Sequence, residues 1–288
     1  MRVLLIGDYP PPYGGVAIHV QQLHRFLRDR GVEAKVLDIG KGGRPAPDVI
    51  PVQSLARFGL RLAGYSRVVA VSGAVKEALV GCGVPAAKIL VQPAFCSSQV
   101  KPGPMTATVE LARARRTPLL AMAHHPSPVY GRMVMFRALR LLANELPGVG
   151  LAVFGPGTRT PEFARDARET HVAPYLEDLG ELDHEAVLGL LSRCDAFIRP
   201  TTHDGDAISV REALALGVPC VASDVCARPE GTYLFRAGYA PDLALRVRQA
   251  LVEGAAETVL PDAGPVLLSL YAELSAPRLE GQRPAMAT

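Results

Sequence analysis

The sequence predicts an α/β protein made of two parallel-sheet domains, the first of them truncated, and three observations carry that prediction. Short apolar runs alternate with segments of helical spacing, the pattern of parallel strands joined by crossover helices. Residues 93–118 interrupt the alternation with Pro, Gly, Ser and Thr, which marks a connection between domains. The alternation is full after that break and thin before it, where an irregular stretch separates Ile39 from Arg67. The expected organisation is a shortened first domain over 1–100, a linker over 101–117, a complete second domain over 118–262, and a C-terminal helix and tail over 263–288.

Taken in order, Arg2 to Gly7 is an apolar strand and Asp8 to Gly15 a Pro/Gly loop. Val16, Val20, Leu23 and Leu27 recur at helical spacing until Gly31 closes the helix, and Val32 to Ile39 is the next strand. No G-x-G-x-x-G lies between that strand and helix, which removes the usual dinucleotide fingerprint. The Gly14–Gly15 pair either lets a phosphate or sugar approach the backbone or only makes a tight turn. His19 and His24 on this helix read as surface or partly buried histidines. Between 40 and 65 only Ser54 to Leu62 is weakly helical. Order returns with strand Arg67 to Val71, an N-cap at Ser72, helix Ala74 to Val80 and strand Lys88 to Gln92.

In the second half, strands Leu119 to Ala123, Gly150 to Phe154, Val172 to Leu179, Ala196 to Ile198, Cys220 to Ala222 and Thr232 to Phe235 alternate with helices. These helices are Arg132 to Asn144, Glu162 to Thr170, His184 to Ser192, one bearing Val210, Ala213 and Leu214 on a face, and Asp242 to Val252. Pro265 to Leu274 reads as a last helix before a frayed tail.

Composition narrows the function classes. The chain has 288 residues, 49% hydrophobic and 20% charged, with 27 Gly and 25 Pro, so it is globular and turn-rich. A balance of 31 Lys+Arg against 28 Asp+Glu, without a basic run interleaved with aromatics, argues against nucleic acid. Five scattered cysteines without a C-x-x-C pair read as free thiols in a reducing cytosol. The first apolar run is too short for a signal peptide or membrane span.

The most informative stretch is 195–224. A strand leads into a loop carrying Asp204, Gly205 and Asp206, a helix follows, Gly217 and Pro219 end it, and a second strand begins at Cys220. This βαβ unit aims its helix N-terminus at the carboxyl end of the sheet, where ligands sit in open α/β folds. The amides of Ala207, Ile208 and Ser209 and the helix dipole suit an anion such as a diphosphate. Glu212 lies roughly 7.5 Å further along the axis, about the reach from a diphosphate to the ribose of one nucleotide. It can equally be an ordinary surface glutamate. Asp204-Gly-Asp206 admits a metal reading, but Asp206, leading into a helix, is better explained as its N-cap. His124–His125 lack partners at zinc spacing, and no G-x-S-x-G supports a hydrolase elbow.

Several motifs, in this order, carry a resemblance: Gly-Asp-Tyr-Pro-Pro-Pro-Tyr-Gly-Gly-Val after the first strand, Val-Ser-x4-Glu before the linker, Val-Phe-Gly-Pro-Gly, and Asp204-x7-Glu212 followed by Ala-Leu-Ala-Leu-Gly-Val-Pro-Cys-Val-Ala. Together they resemble the GT-B retaining glycosyltransferases of the family 4 (group 1) type. The resemblance implies two Rossmann-like domains and a UDP- or GDP-linked sugar donor bound mainly by the second, without a cofactor or metal. It implies that Glu212 holds the ribose and that the amides near Ile208 and Ser209 hold the diphosphate. By the same resemblance Asp204, a methylene shorter than the family's glutamate, would lie near the donor sugar, and Gly14 and Gly15 would close over the phosphates. Gly155 and Gly157 border the nucleotide pocket, and the base lies near Glu181 and Leu182. Where the family commonly has an Arg and a Lys facing the diphosphate, this chain has His124, His125 and Arg132. Arg132 is the residue expected to join Asp204 in catalysis.

No residue matches the family's acceptor-side histidine. The first domain shows four recognisable strands where members have about six or seven, and a truncated sheet leaves apolar surface open to a second copy of the chain. The implied acceptor is a glycan or lipid-linked sugar, as in exopolysaccharide synthesis, handled in the cytoplasm or at the inner face of the membrane. The alternative is a non-catalytic nucleotide-sugar-binding or partner-binding descendant. A GT-B epimerase would need acid/base groups that the sequence does not supply.

Overall fold

The computed structural model describes residues 2–7, 20–21, 24–25, 28–29, 31, 33–38, 48–51, 67–70, 73–92, 95–204, 207–260 and 262–275. The chain divides into two compact units, 1–94 together with 262–288, and 95–261.

In the first unit, β1 (Arg2–Gly7), β2 (Glu33–Asp38) and β3 (Val49–Pro51) form a parallel sheet in the order β1-β2-β3. The described residues between β1 and β2 that are helical include Val20 and His24, both buried. β3 lies in the stretch expected to be irregular. Three residues ending in proline make too short a run to show a period, and the strand is entered through Asp48 at φ 64°, a left-handed conformation that aspartate tolerates. The amide of Val36 donates to the Asp48 carbonyl at 2.8 Å and seats the strand. β4 (Val68–Ala70) and β5 (Ile89–Val91) are a second parallel pair, crossed over by α1 (Gly73–Gly81). Val68, Ala70, Val84 and Ile89 close a small core with Leu79 packed on it. The described residues of this unit thus contain five strands rather than four. The proposed cap Ser72, the weak helix 54–62, His19 and the Gly14–Gly15 pair lie outside the described residues.

The second unit begins earlier than expected. Residues 107–115, assigned from sequence to a linker, form α2 (Ala107–Arg115). The Thr106 hydroxyl accepts from the Val109 amide at 3.4 Å, the position of a helix N-cap. Val109 and Ala112, three apart and so on one face, are completely buried.

Six strands follow: β6 (Leu119–Ala123), β7 (Gly150–Phe154), β8 (Leu176–Gly180), β9 (Ala196–Arg199), β10 (Cys220–Ser223) and β11 (Thr232–Phe235). All pair in parallel, in the order β11-β10-β9-β6-β7-β8. The strand expected from Val172 starts later, because residues 173–175 make a 3-10 turn after His171, which stands at φ 57°.

Alternate strand residues feed two cores, because successive side chains point to opposite faces. On one face Leu120, Met122, Leu151, Val153, Ile198 and Val221 pack under α3 (Arg132–Glu145), α4 (Pro161–Glu169) and α7 (Ala240–Glu253). On the other, Leu119, Ala121, Ala152, Phe197 and Ala222 pack under α2, α5 (His184–Leu191) and α6 (Ile208–Ala215). Each fully buried Val, Leu, Ile, Met or Phe side chain among them contributes about 1.5–3 kcal/mol. The last helix, α8 (Ala263–Ser275), falls in the first unit.

The direction of winding reverses between β6 and β9, which are neighbours in the sheet but not in sequence. A crevice opens at the carboxyl ends of strands at such a switch point.

Candidate functional site

Two loops leave the switch point, 124–131 after β6 and, after β9, one whose described residues are 200–204 and 207. The Thr202 amide donates to the Val129 carbonyl at 2.8 Å, joining them. Gly131 stands at φ 70°, and a Cβ there would lie 1.8 Å from the Pro200 carbonyl oxygen, so only glycine lets the loops approach this closely. Gly155 after β7 is similarly constrained: at φ 120°, its missing Cβ would meet the His124 carbonyl oxygen at 2.3 Å. Its amide donates to the Gly180 carbonyl at 2.7 Å. Gly155, and Gly157 against Pro126, therefore lie beside the loop after β6, with Gly155 also tied to the end of β8. Glu181 and Leu182 occupy the next turn, before the Asp183 side chain caps α5 by accepting from Ala186 at 2.8 Å.

Asp204 is held from several sides. Arg199, the last residue of β9, donates through Nε to Oδ2 at 3.0 Å and through Nη2 to Oδ1 at 3.2 Å. Arg228 donates through Nη1 at 2.9 Å, and the Thr201 hydroxyl donates at 3.1 Å. The Arg228 side chain is 1% exposed and also donates to the Ser223 carbonyl at 3.1 Å. The Arg199 guanidinium lies over the Tyr130 ring at 5.0 Å. Burial raises the Asp204 pKa, but the hydrogen bonds and charges of Arg199 and then Arg228 outweigh it and bring it to about 2. This carboxylate is engaged by two arginines, and Asp206, the other acid of the metal reading, lies outside the described residues.

α6 starts after Ala207, which has no side chain to cap it. The expectation that Asp206 is the N-cap is therefore corrected: Ala207 holds that position, and Asp206 lies outside the described residues. Among the described residues no side chain caps this helix start, which keeps its amides for another acceptor. Val210, Ala213 and Leu214 anchor the helix in the core. At the other end, Gly217 at φ 72° donates to Leu214 at 3.0 Å and Val218 donates to Ala213 at 2.9 Å, a Schellman closure. Glu212 is not an ordinary surface glutamate. It is 7% exposed, and its Oε1 lies 2.6 Å from Nε2 of His184, the first residue of α5. The hydrogen bond to Glu212 is the largest influence on His184 and raises its pKa, against the lowering effect of burial.

The residues expected to face a diphosphate have partners or a charge state of their own. Arg132, at the start of α3, donates to Glu162 at 2.6 Å and also to Asp166, so its charge is already compensated on α4. His124 is 2% exposed, and neither ring nitrogen has a hydrogen-bond partner. Burial, then the charges of Arg132 and His125, lower its pKa to about 4, so it is neutral at pH 7 and supplies no cation. His125 is exposed, and its Nδ1 accepts from the Ser127 amide at 3.1 Å.

Sequence reasoning missed Arg199, Arg228 and His184 as partners of the two motif acids. Arg199 carries a signal in hindsight, a cation closing an apolar strand just before the loop. Arg228 and His184 carry none, being 24 and 28 residues from their partners.

The profile of the glycosyl transferases group 1 family matches residues 116–253, which include all six strands of the second unit. Glycogen synthase of Mycobacterium tuberculosis is 34% identical over 88 residues, 31% of this chain, and the matched segment spans 21% of that relative. Among solved structures, Anabaena HepE in complex with UDP-glucose aligns with a TM-score of 0.61 at 15% identity, covering 88% of this chain and 90% of that one. A glycosyltransferase from Rickettsia africae aligns with a TM-score of 0.64 at 13% identity, covering 87% and 88%. These likenesses give the chain the GT-B type of fold, and its residues 116–253 are similar to the group 1 glycosyltransferases.

Proposed function

We propose that the chain transfers a sugar from a nucleotide-sugar donor to a glycan or lipid-linked acceptor with retention of configuration. The observation that carries the reading is the start of α6: a helix with alanine at its N-cap position and no capping side chain among the described residues, following β9 at the switch point, with a buried carboxylate further along it. The amides of Ile208 and Ser209, with that of Ala207, receive the diphosphate and stabilise the charge that grows as it departs. Glu212 accepts from the ribose hydroxyls. Gly155 and Gly157 border the nucleotide, and the base lies by Glu181 and Leu182.

Asp204 shapes the donor-sugar end of the site through a loop that its arginine contacts hold, rather than by offering an unengaged carboxylate. Arg132 contributes through its position at the start of α3, with Glu162 and Asp166 limiting its net charge. HepE, whose structure contains UDP-glucose, supports a nucleotide-sugar as the donor class. Exopolysaccharide synthesis at the inner face of a membrane is the process such acceptors suggest. Among the described residues no helix is long and apolar enough to cross a membrane.

The test is calorimetric titration with UDP-glucose and with GDP-mannose, followed by an assay for release of the nucleoside diphosphate in the presence of glycan and lipid-linked acceptors. Glu212→Ala is expected to weaken binding by about 1.5–3 kcal/mol, the scale of hydrogen bonds to a charged group. Unchanged affinity removes the ribose role. Binding without release of the diphosphate selects the non-catalytic reading.

A further inference from the structure

We propose that His184 is a positioning residue of the donor site, fixing the Glu212 carboxylate so that one oxygen is left to receive the sugar hydroxyls of the nucleotide. The inference rests on the donor reading given above and adds a residue that the Asp204-x7-Glu212 motif does not contain.

The geometry begins with the backbone. Asp183 caps α5 through its side chain, so the first turn, and with it the Cα of His184, has a defined direction. α5 and α6 share one core, in which Leu190 and Leu191 join Val210, Ala213 and Leu214. The two helices are therefore set by packing before the polar pair forms, and the pair spans them with a 2.6 Å contact between Nε2 and Oε1. A glutamate at this depth has strong need of a donor, because an unpaired buried carboxylate is costly. It is also a long side chain, whose ordering costs rotamer entropy. His184 meets both costs before the nucleotide arrives, which is the physical content of preorganisation.

The pair also gives donor binding a pH dependence of defined sign. The groups acting on the ring are Glu212 from α6 and Asp183 and Glu185 from its own helix, and together they keep it protonated to higher pH than an ordinary histidine. With the ring charged, the pair is neutral overall. With the ring neutral, the pair carries the full carboxylate charge beside a site for an anionic diphosphate. Donor affinity therefore falls as pH rises through the raised His184 pKa.

The experiment titrates wild type, His184→Phe, His184→Gln, Glu212→Ala and the His184→Phe/Glu212→Ala double variant with UDP-glucose and, separately, GDP-mannose between pH 5.5 and 9. Over that range the diphosphate of either compound keeps its charge. The expected result is a wild-type dissociation constant that rises several-fold across the range. His184→Phe should bind about 5- to 20-fold more weakly at pH 6.5 with a flat profile, because the carboxylate then has to be ordered as the nucleotide binds. His184→Gln, which keeps a donor, should recover part of the affinity but stay flat. The double variant should be little weaker than Glu212→Ala alone, since both changes act on one interaction.

If Glu212→Ala loses binding while both His184 variants keep wild-type affinity and pH profile, the positioning role is overturned and the donor reading stands. If wild type binds neither compound, or Glu212→Ala binds as wild type does, the donor reading falls and this proposal falls with it. An NMR titration of the His184 ring gives a readout independent of any ligand and of the stability of the His184 variants. Glu212→Gln should lower the ring's pKa, and an unchanged value overturns the pairing.

Discussion

Asp204 and Glu212 come from one short segment, yet their carboxylates are held in opposite ways. The loop acid faces two guanidiniums that never lose their charge, and its own pKa is brought to about 2. The helix acid faces one imidazole, whose charge changes in the range where proteins work. The first arrangement makes a permanent fixture that shapes the backbone between β9 and α6. The second leaves a carboxylate that is ordered yet able to exchange partners. Two acids in a single motif are thus not interchangeable: one is fixed by permanent charges and the other by a titratable partner.

The comparison can be broken at its strongest point first. Asp204→Asn leaves Arg199 and the buried Arg228 without their counter-charge and is expected to cost about 3–5 kcal/mol of stability, measured by chemical denaturation. A loss below about 1 kcal/mol would show that the arginines do not depend on Asp204. A smaller effect is expected from His124, the buried histidine without a partner. Its folded pKa, about 4, lies below the unfolded value of 6.5, so the stability it permits is fully present above pH 6.5 and is lost as pH falls through 4. The loss amounts to about 3 kcal/mol, and His124→Phe should remove that part of the acid dependence in denaturation curves taken between pH 7 and 4. If His124→Phe and wild type lose stability in parallel, other groups govern the acid limb. The smallest effect is expected at Glu162, the half-exposed partner of Arg132. Glu162→Gln should change stability by less than about 1 kcal/mol, because Asp166 remains and surface pairs contribute little. A larger loss would mean that the Arg132 cluster is as fixed as the Asp204 cluster.

Most of the second unit was legible in the sequence. Its strands are buried on both faces and read as apolar runs, and the helices between them keep their spacing. α2 was missed because its two buried residues, Val109 and Ala112, stand among three charged ones and after a Pro/Gly-rich approach that resembles a linker. β3 was missed because three residues cannot display a period. The site divides in the same manner. The start of α6 and the Schellman closure at Gly217 depend on residues within a few positions of one another. Arg132 was expected opposite a diphosphate, and nothing near it in the chain announced that Glu162 and Asp166 would neutralise it.

The sequence by itself determined the order of strands and helices, the helix start that suits an anion, and the spacing of Asp204 and Glu212 along one segment. These follow from short-range sterics, burial period and helix geometry, which are written in neighbouring residues. Only the tertiary structure decided that the winding reverses between β6 and β9, that Asp204 is closed by Arg228, that His124 is buried neutral, and that Glu212 meets His184. Those outcomes depend on which distant side chains share a low-dielectric space once the sheet has formed, and charge compensation within that space is a property of the fold rather than of any stretch of chain.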